Sequence, residues 1–397
     1  MKLKTNYNHT IYACYLGSIT QAITNNLAPL LFLTFRSIWG FSLAQITMIS
    51  TVNFVTQLLL DLLSALWVDK IGYRSAMIIA HICSTVGLIG MAFLPGLLPN
   101  AYMGLIIAVF FYAIGGGLVE VLVSPIVEAC PTQKKEAAMS LLHSFYCWGF
   151  VAVVALSTLF FKIFGIENWR VLTCIWAVIP LFNVFYFLQV PIKPVVPQEK
   201  QQLAVNLLFQ LKFWLLMLVM VCSGASSQAI CQWISAYAES GLGVSKVIGD
   251  LAGPCGFAFF MGLVRVLYSK YSDKMKLEHV LLGSGILCII CYFVVSTTDN
   301  PVLGLIACAV CGFSVGMFWP GTFSIAAKAM PLGGTAMFAL MALGGDIGCS
   351  LGPTVVGFIA DMHSGNLSIG LFSAMGFPIF ILICITFLIF NRTKELT

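Results

Sequence analysis

Charge is what this sequence has least of: only 9% of its 397 residues are Asp, Glu, Lys or Arg. With 60% hydrophobic residues and a mean hydropathy of +0.98, it cannot cover a water-soluble globule with polar surface. Other absences narrow the reading further. There is no nucleotide loop of the Walker type, so ATP coupling and enzyme chemistry are not expected. No small-residue cleavage site follows a short apolar core, so the N-terminus is expected to stay attached. No extra soluble domain is present to relay a signal, which argues against a receptor. The 14 cysteines fall mostly within apolar runs, and none forms a CxxC pair flanked by His. They read as small hydrophobes, and no metal site is expected.

What is present is apolar length. Runs long enough to cross a bilayer core recur from end to end. Twelve are expected, at about 10–34, 44–67, 75–96, 101–127, 137–161, 168–190, 210–238, 246–270, 277–297, 300–327, 333–360 and 367–391. The fold class is therefore an all-α polytopic membrane protein. If the N-terminus and every even connection share one side, that side carries 15 of the 20 Lys and Arg residues. The opposite side carries Arg36, Lys162, Arg170 and Lys246, and Arg265 lies inside a span. Positive charge stays cytoplasmic, so both termini are expected inside a plasma membrane. The net +5 thus speaks of topology and gives no reason to expect a nucleic-acid partner.

The chain also repeats itself. A Pro- and charge-rich stretch, PIKPVVPQEKQQ, separates two sextets of spans. The expected division is a bundle over 1–190, a cytoplasmic linker over 191–209 and a second bundle over 210–397. VDKIGYRS (Val68–Ser75) follows the second span, and YSDKMKLE (Tyr271–Glu278) follows the eighth. Asp61 lies eight residues before Asp69, and Arg265 eight before Asp273, so one copy carries an acid where the other carries a base. Duplicated sextets of this kind build a large class of transporters, with the substrate site near the midplane.

Asp69-Lys70-Ile71-Gly72-Tyr73-Arg74 resembles the loop 2–3 signature of the major facilitator superfamily, D-[RK]-x-G-[RK]-[RK], with Tyr73 in place of one base. The resemblance implies twelve helices in two pseudo-symmetric bundles and an inner latch. In that latch Asp69 pairs near a helix end while Lys70 and Arg74 hold adjacent loops. Gly115–Pro131, Ser140–Gly149, Phe259–Asp273 and Gly333–Asp361 further resemble spans 4, 5, 8 and 11 of the fucose permease-like branch of proton-coupled sugar symporters.

A charge at mid-bilayer costs at least about 2.5–3.5 kcal/mol, so each one asks for a reason. The resemblance gives Glu120, in GGGLVEV, a part in proton coupling; the other reading is a neutral Glu hydrogen-bonded to a neighbouring helix. The branch's type member carries a second acid in the first span, where this chain has Gln21, Asn25 and Asn26. Amides bind hydroxyls but carry no proton, so coupling would fall to Glu120 or another acid such as Asp346. Arg265 and Asp346 belong to one sextet, and an ion pair would make both tolerable there. Asp61 either faces a domain interface or snorkels towards the cytoplasm. His143, near the inner end of the fifth span, is either a titrating group or a packing residue.

For cargo, Gln21, Asn25 and Asn26 in the first span and Gln228, Gln232, Trp233 and Tyr237 in the seventh are candidate contacts. Gln21 and Asn25, Gln228 and Gln232, and Trp233 and Tyr237 are each four apart and share a helix face. Trp319, just before Pro320, adds another ring. Amides and rings suit a polyhydroxylated neutral solute, although amides also tie helices together. The expected function is alternating-access, proton-coupled uptake of a sugar or sugar-like molecule, with the proton gradient in place of a cofactor. The expected partners are a small solute, H+ and the lipid bilayer, and a monomer is expected. The alternative is proton-coupled efflux of drugs or metabolites. Efflux members usually carry Gly-Pro in the fifth span, which here reads FYCWGFVAVVALST; the pair falls instead at Gly352-Pro353.

Overall fold

The computed structural model describes residues 5–41, 43–193, 204–237 and 246–394, and among them it is helical throughout, with no strand. The first six long helices are α1 (Tyr7–Trp39), α2 (Leu43–Ile71), α3 (Tyr73–Leu97), α4 (Ala101–Ala129), α5 (Lys135–Phe164) and α6 (Trp169–Gln189). A five-residue helix, α7 (Ala204–Leu208), precedes α8 (Leu211–Ala236), α9 (Lys246–Tyr271) and α10 (Leu277–Thr297). The chain ends with α11 (Pro301–Val315), α12 (Phe318–Ala329), α13 (Gly334–Met362), α14 (Leu367–Ala374) and α15 (Gly376–Lys394). Each of the twelve expected runs falls on one of these helices or on a consecutive pair. Residues 194–203 of the expected linker lie outside the described residues.

Local chemistry accounts for the helix ends. Asn6, Asn100, Asn300 and Asn366 each accept a backbone N–H of the following turn, the usual remedy for unpaired donors at a helix start. Gly72 opens α3 at φ 82, a left-handed conformation that a side chain would strain. Two expected spans are broken. The tenth divides into α11 and α12 ahead of Pro320, which has no N–H to offer the Gly316 carbonyl. The twelfth divides at Met375 ahead of Pro378, for the same reason.

Nine described helical segments are long and apolar enough to cross a membrane. The spans outside that set, α1, α2 and α9, carry Gln21, Asn25 and Asn26; Asn53, Gln57 and Asp61; and Arg265.

The chain forms two compact units. The first comprises Met1–Pro131, Phe145–Gln201 and Gly334–Ala339. Its apolar core joins Ile23, Leu27 and Leu31 of α1 to Leu88 and Met91 of α3, Leu105 of α4 and Trp176 of α6. Within it His81, fully buried, bonds through Nδ1 to the Met77 carbonyl at 2.7 Å, and its Nε2 lies 2.8 Å from Asn183 Nδ2. That Asn183 amide also donates to the Ala13 carbonyl at 3.0 Å, so one polar knot ties α1, α3 and α6.

The second unit comprises Thr132–Ser144, Gln202–Gly333 and Leu340–Thr397, with a core that includes Ile230, Phe257, Leu281, Tyr292 and Val356. Here α13 lies almost backbone to backbone on α8, and a Cβ at Gly348 or Gly352 would overlap the Val221 or Ala225 carbonyl. Small residues permit that approach where lipid gives helices no hydrophobic reason to associate.

Candidate functional site

In the first unit, four helices bring polar side chains to one place. Asn25 Oδ1 on α1 accepts from Gln57 Nε2 at 2.6 Å and from Asn53 Nδ2 at 3.2 Å, both on α2. Gln57 also donates to Asn53 Oδ1 at 3.2 Å. From α5, the Tyr146 hydroxyl hydrogen-bonds with the side chains of Asn25 and Asn26 and lies within electrostatic reach of Glu120 on α4. Asn26 spends one amide hydrogen on the Ala22 carbonyl at 2.8 Å, and Thr24 donates to the Gln21 carbonyl at 3.0 Å.

The triple glycine of α4 makes this convergence possible. A Cβ on Gly116 would stand 2.9 Å from Thr24 Oγ1 and 3.1 Å from Gln57 Nε2, while one on Gly117 would stand 3.0 Å from Gln57 Cα. Gly115 faces the other way, against Ala80 and Ser84 of α3. Glu120 sits four residues beyond Gly116, on the same face of α4 and partly exposed. Asn25, Asn26 and Glu120 therefore gather in one cluster, joined by Asn53, Gln57 and Tyr146, which sequence reasoning passed over; Gln21 is buried one turn before Asn25. The signal was available: Asn53, Gln57 and Asp61 recur every four residues along α2.

At the signature turn, Arg74 Nη1 donates to the Phe187 carbonyl at 2.5 Å and Nη2 to the Val190 carbonyl at 2.8 Å. A cation thus caps the C-terminal end of α6, where unpaired carbonyls and the helix dipole both favour it. Tyr73, standing where the signature has a base, is buried and hydrogen-bonds through its hydroxyl to Thr335. Lys70 is exposed at the end of α2. Asp69 occupies the same last turn, and its side chain lies outside the described residues. Asp61 is fully buried, so it does not snorkel towards water.

In the second unit, Arg265 on α9 donates from Nε to the Gly316 carbonyl at 2.7 Å, the one freed by Pro320, and from Nη1 to the His143 carbonyl at 2.7 Å. Ser140 returns a hydrogen bond to the Arg265 carbonyl at 2.8 Å. Around this anchor, Glu136 pairs with Lys328 and accepts from the Tyr268 hydroxyl at 2.6 Å, and Lys134 pairs with Asp273. The His143 ring stacks on Phe323, centroids 5.8 Å apart, and Phe323 meets Trp319 edge-on at 6.1 Å.

Trp319 lies against Gly345, beside the half-buried Asp346. Gln228 is half-buried and Gln232 exposed. The rings of the seventh span have other employment. Trp233 Nε1 donates to the Pro353 carbonyl at 3.0 Å, and Tyr237, 1% exposed, donates to the Val295 carbonyl at 2.7 Å. Both act as struts between helices. Among the described residues no group of His, Cys, Asp or Glu is arranged to hold a metal ion.

No curated protein matches the sequence. Among solved structures, the fucose:proton symporter FucP of E. coli matches with a TM-score of 0.81 at 15% identity, covering 96% of this chain and 98% of that one. A structure of FucP in an outward conformation matches at 0.79 and 16%, covering 95% and 98%. The proton:xylose symporter XylE bound to 6-bromo-6-deoxy-D-glucose matches at 0.81 and 12%, covering 95% and 94%. The fold is thus shared with sugar:proton symporters at low identity. The model of the Major Facilitator Superfamily matches residues 14–353, most of the sequence, and the chain belongs to that superfamily of membrane transporters.

Proposed function

We propose that the protein is a secondary active transporter that takes up a small polyhydroxylated solute, a sugar or sugar-like molecule, together with protons. The observation that carries this reading is the cluster of Asn25, Asn26, Asn53, Gln57 and Tyr146, with the acid Glu120 within electrostatic reach of Tyr146. Amide and phenol groups offer donors and acceptors for sugar hydroxyls, and a carboxyl in their midst can gain and lose a proton as the solute passes. The likeness of fold to fucose and xylose symporters supports the same substrate class. Asp346, next in sequence to the Gly345 that Trp319 lies against, is the acid to examine in the second unit. The distribution of Lys and Arg supports cytoplasmic termini, and the membrane is proposed to be the plasma membrane.

In proteoliposomes, an inward proton gradient should drive solute accumulation in the native protein. Glu120→Gln should abolish that accumulation while sparing solute exchange at equal concentrations. Undiminished gradient-driven uptake by the variant would remove Glu120 from the coupling role. Drug resistance on overexpression, without sugar accumulation, would favour efflux instead.

A further inference from the structure

We propose that Asp61 is a second proton-carrying group, linked to Glu120 along a buried polar face of α2. The inference rests on the proton-coupled reading above and extends it to a residue that reading does not need. Its starting point is the inverted character of α2. Asn53, Thr56, Gln57, Asp61 and Ser64 are all buried, each less than 7% exposed, while Phe54, Leu59, Leu62, Leu63 and Leu66 are exposed. Polar residues inside and apolar residues outside is the pattern of a span that faces lipid on one side and a polar track on the other. Five polar positions within twelve residues extend about 16 Å along the helix at 1.5 Å per residue.

The register against α4 places the two acids. The hairpin through α3 makes α2 and α4 run in the same direction. A Cβ on Gly116 would stand 3.1 Å from Gln57 Nε2, and one on Gly117 would stand 3.3 Å from Leu60 Cβ. Asp61 is four residues past Gln57 and Glu120 is four past Gly116, so both carboxyls lie one turn beyond the same contact, at one depth. Two carboxylates so placed disfavour each other's charge, and such a pair holds one proton in common.

The groups around the track sharpen the assignment. From α1 it meets Thr24 and Asn25, with Gln21 one turn earlier, and none of these titrates. From α5 comes Tyr146, from α4 Glu120; on α3 the titratable His81 is turned to Asn183 of α6. One turn beyond Asp61, the Ser64 hydroxyl is buried and has no hydrogen-bond partner among the described residues. A lone hydroxyl at that place is positioned to bind a water that passes protons onward. The step is a simple transfer. The O–H bond of the Glu120 carboxyl breaks, one forms on the Asp61 carboxylate, and the negative charge moves from α2 to α4.

Infrared difference spectroscopy of the protein in lipid, titrated with pH in the absence of solute, tests this. The native protein should show protonated-carboxyl C=O absorption from two interacting groups. Asp61→Asn should lose one component, and Asp61→Glu should move it without removing it, which separates a lost acid from a damaged fold. Glu120→Gln should change the titration of the Asp61 component, because the group paired with it no longer gains or loses a proton. An unchanged spectrum in both Asp61 variants, or an unshifted Asp61 component in Glu120→Gln, would overturn the proposal. A native protein that shows both titrations yet never accumulates solute would overturn the coupled-uptake reading alone and support the paired acids.

Discussion

Gln57 and Asn25 meet across two helices, Nε2 to Oδ1 at 2.6 Å, and Asn53 reaches the same oxygen at 3.2 Å. One acceptor therefore satisfies two buried donors, and the whole cluster depends on it. Losing a buried partner costs about 1–3 kcal/mol for each group left unpaired. Asn25→Ala should accordingly lower the melting midpoint by several degrees and weaken solute binding. Asn25→Asp keeps an oxygen for both donors but brings a carboxyl into the span, so it should recover only part of that loss. Thermal shift of the purified transporter, with and without solute, distinguishes the two; equal midpoints for Asn25→Ala and the native protein would show that the triad contributes nothing to stability.

The glycines divide into two kinds. A Cβ on Gly115 would stand 2.5 Å from the Ala80 carbonyl oxygen and overlap Ser84 Oγ, so α3 and α4 would have to part. Gly283, inside α10, has nothing within 4 Å of an added Cβ. There the only effect of a methyl is on the backbone, where Ala is favoured over Gly by about 0.5–1 kcal/mol. Gly115→Ala should thus destabilise by about 1–3 kcal/mol, the range for overpacking, while Gly283→Ala should be neutral or stabilising. Chemical denaturation of the two variants in the same detergent gives the comparison.

Much of this was legible in the sequence, and the reasons differ by feature. Apolar length found every span because a bilayer imposes a minimum, and the acidic–basic turns at Asp69 and Asp273 revealed the duplication. Glu120 stood out because a lone acid among apolar residues is costly. Rotation about each helix axis was not legible. Trp233 and Tyr237 share a face, as their spacing requires, yet that face is turned to Pro353 and Val295, where their polar atoms serve helix packing. Arg265 invites an acidic partner on paper; its Nε and Nη1 go to carbonyls, one of them freed by a proline four residues on. Asn53 and Gln57 escaped notice because amides are common in helix bundles, and only the neighbours Asn25 and Gly116 give them meaning.

Arg74 offers a test of the signature turn. Its guanidinium spans two carbonyls at the end of α6, Phe187 at 2.5 Å and Val190 at 2.8 Å. A lysine supplies the charge at a single point and cannot reproduce the fork. Arg74→Lys should therefore keep the dipole interaction, about 0.3–1 kcal/mol, and lose the second hydrogen bond, while Arg74→Ala loses both. The expected order of melting midpoints is native, then Lys, then Ala. Hydrogen exchange at the last turn of α6 should rise in the same order, and equal protection in all three would deny Arg74 its capping role.

The two ion pairs of the second unit should behave differently from each other. Lys134 and Asp273 are 59% and 58% exposed, so water and salt screen them, and such pairs contribute about 0–1 kcal/mol. Glu136 is 20% exposed and serves both Lys328 and the Tyr268 hydroxyl. Lys134→Ala should leave the melting midpoint within about a degree, as expected for a contribution near zero. Glu136→Gln removes the charge yet keeps an oxygen for Tyr268, and Glu136→Ala removes both, so the loss should grow from the first to the second. Raising the salt concentration should narrow the gap between native protein and Glu136→Gln, because only the ionic part is screened. No gap between native protein and Glu136→Gln at low salt would show that the Lys328 pair contributes nothing, leaving the Tyr268 hydrogen bond as the stabilising contact.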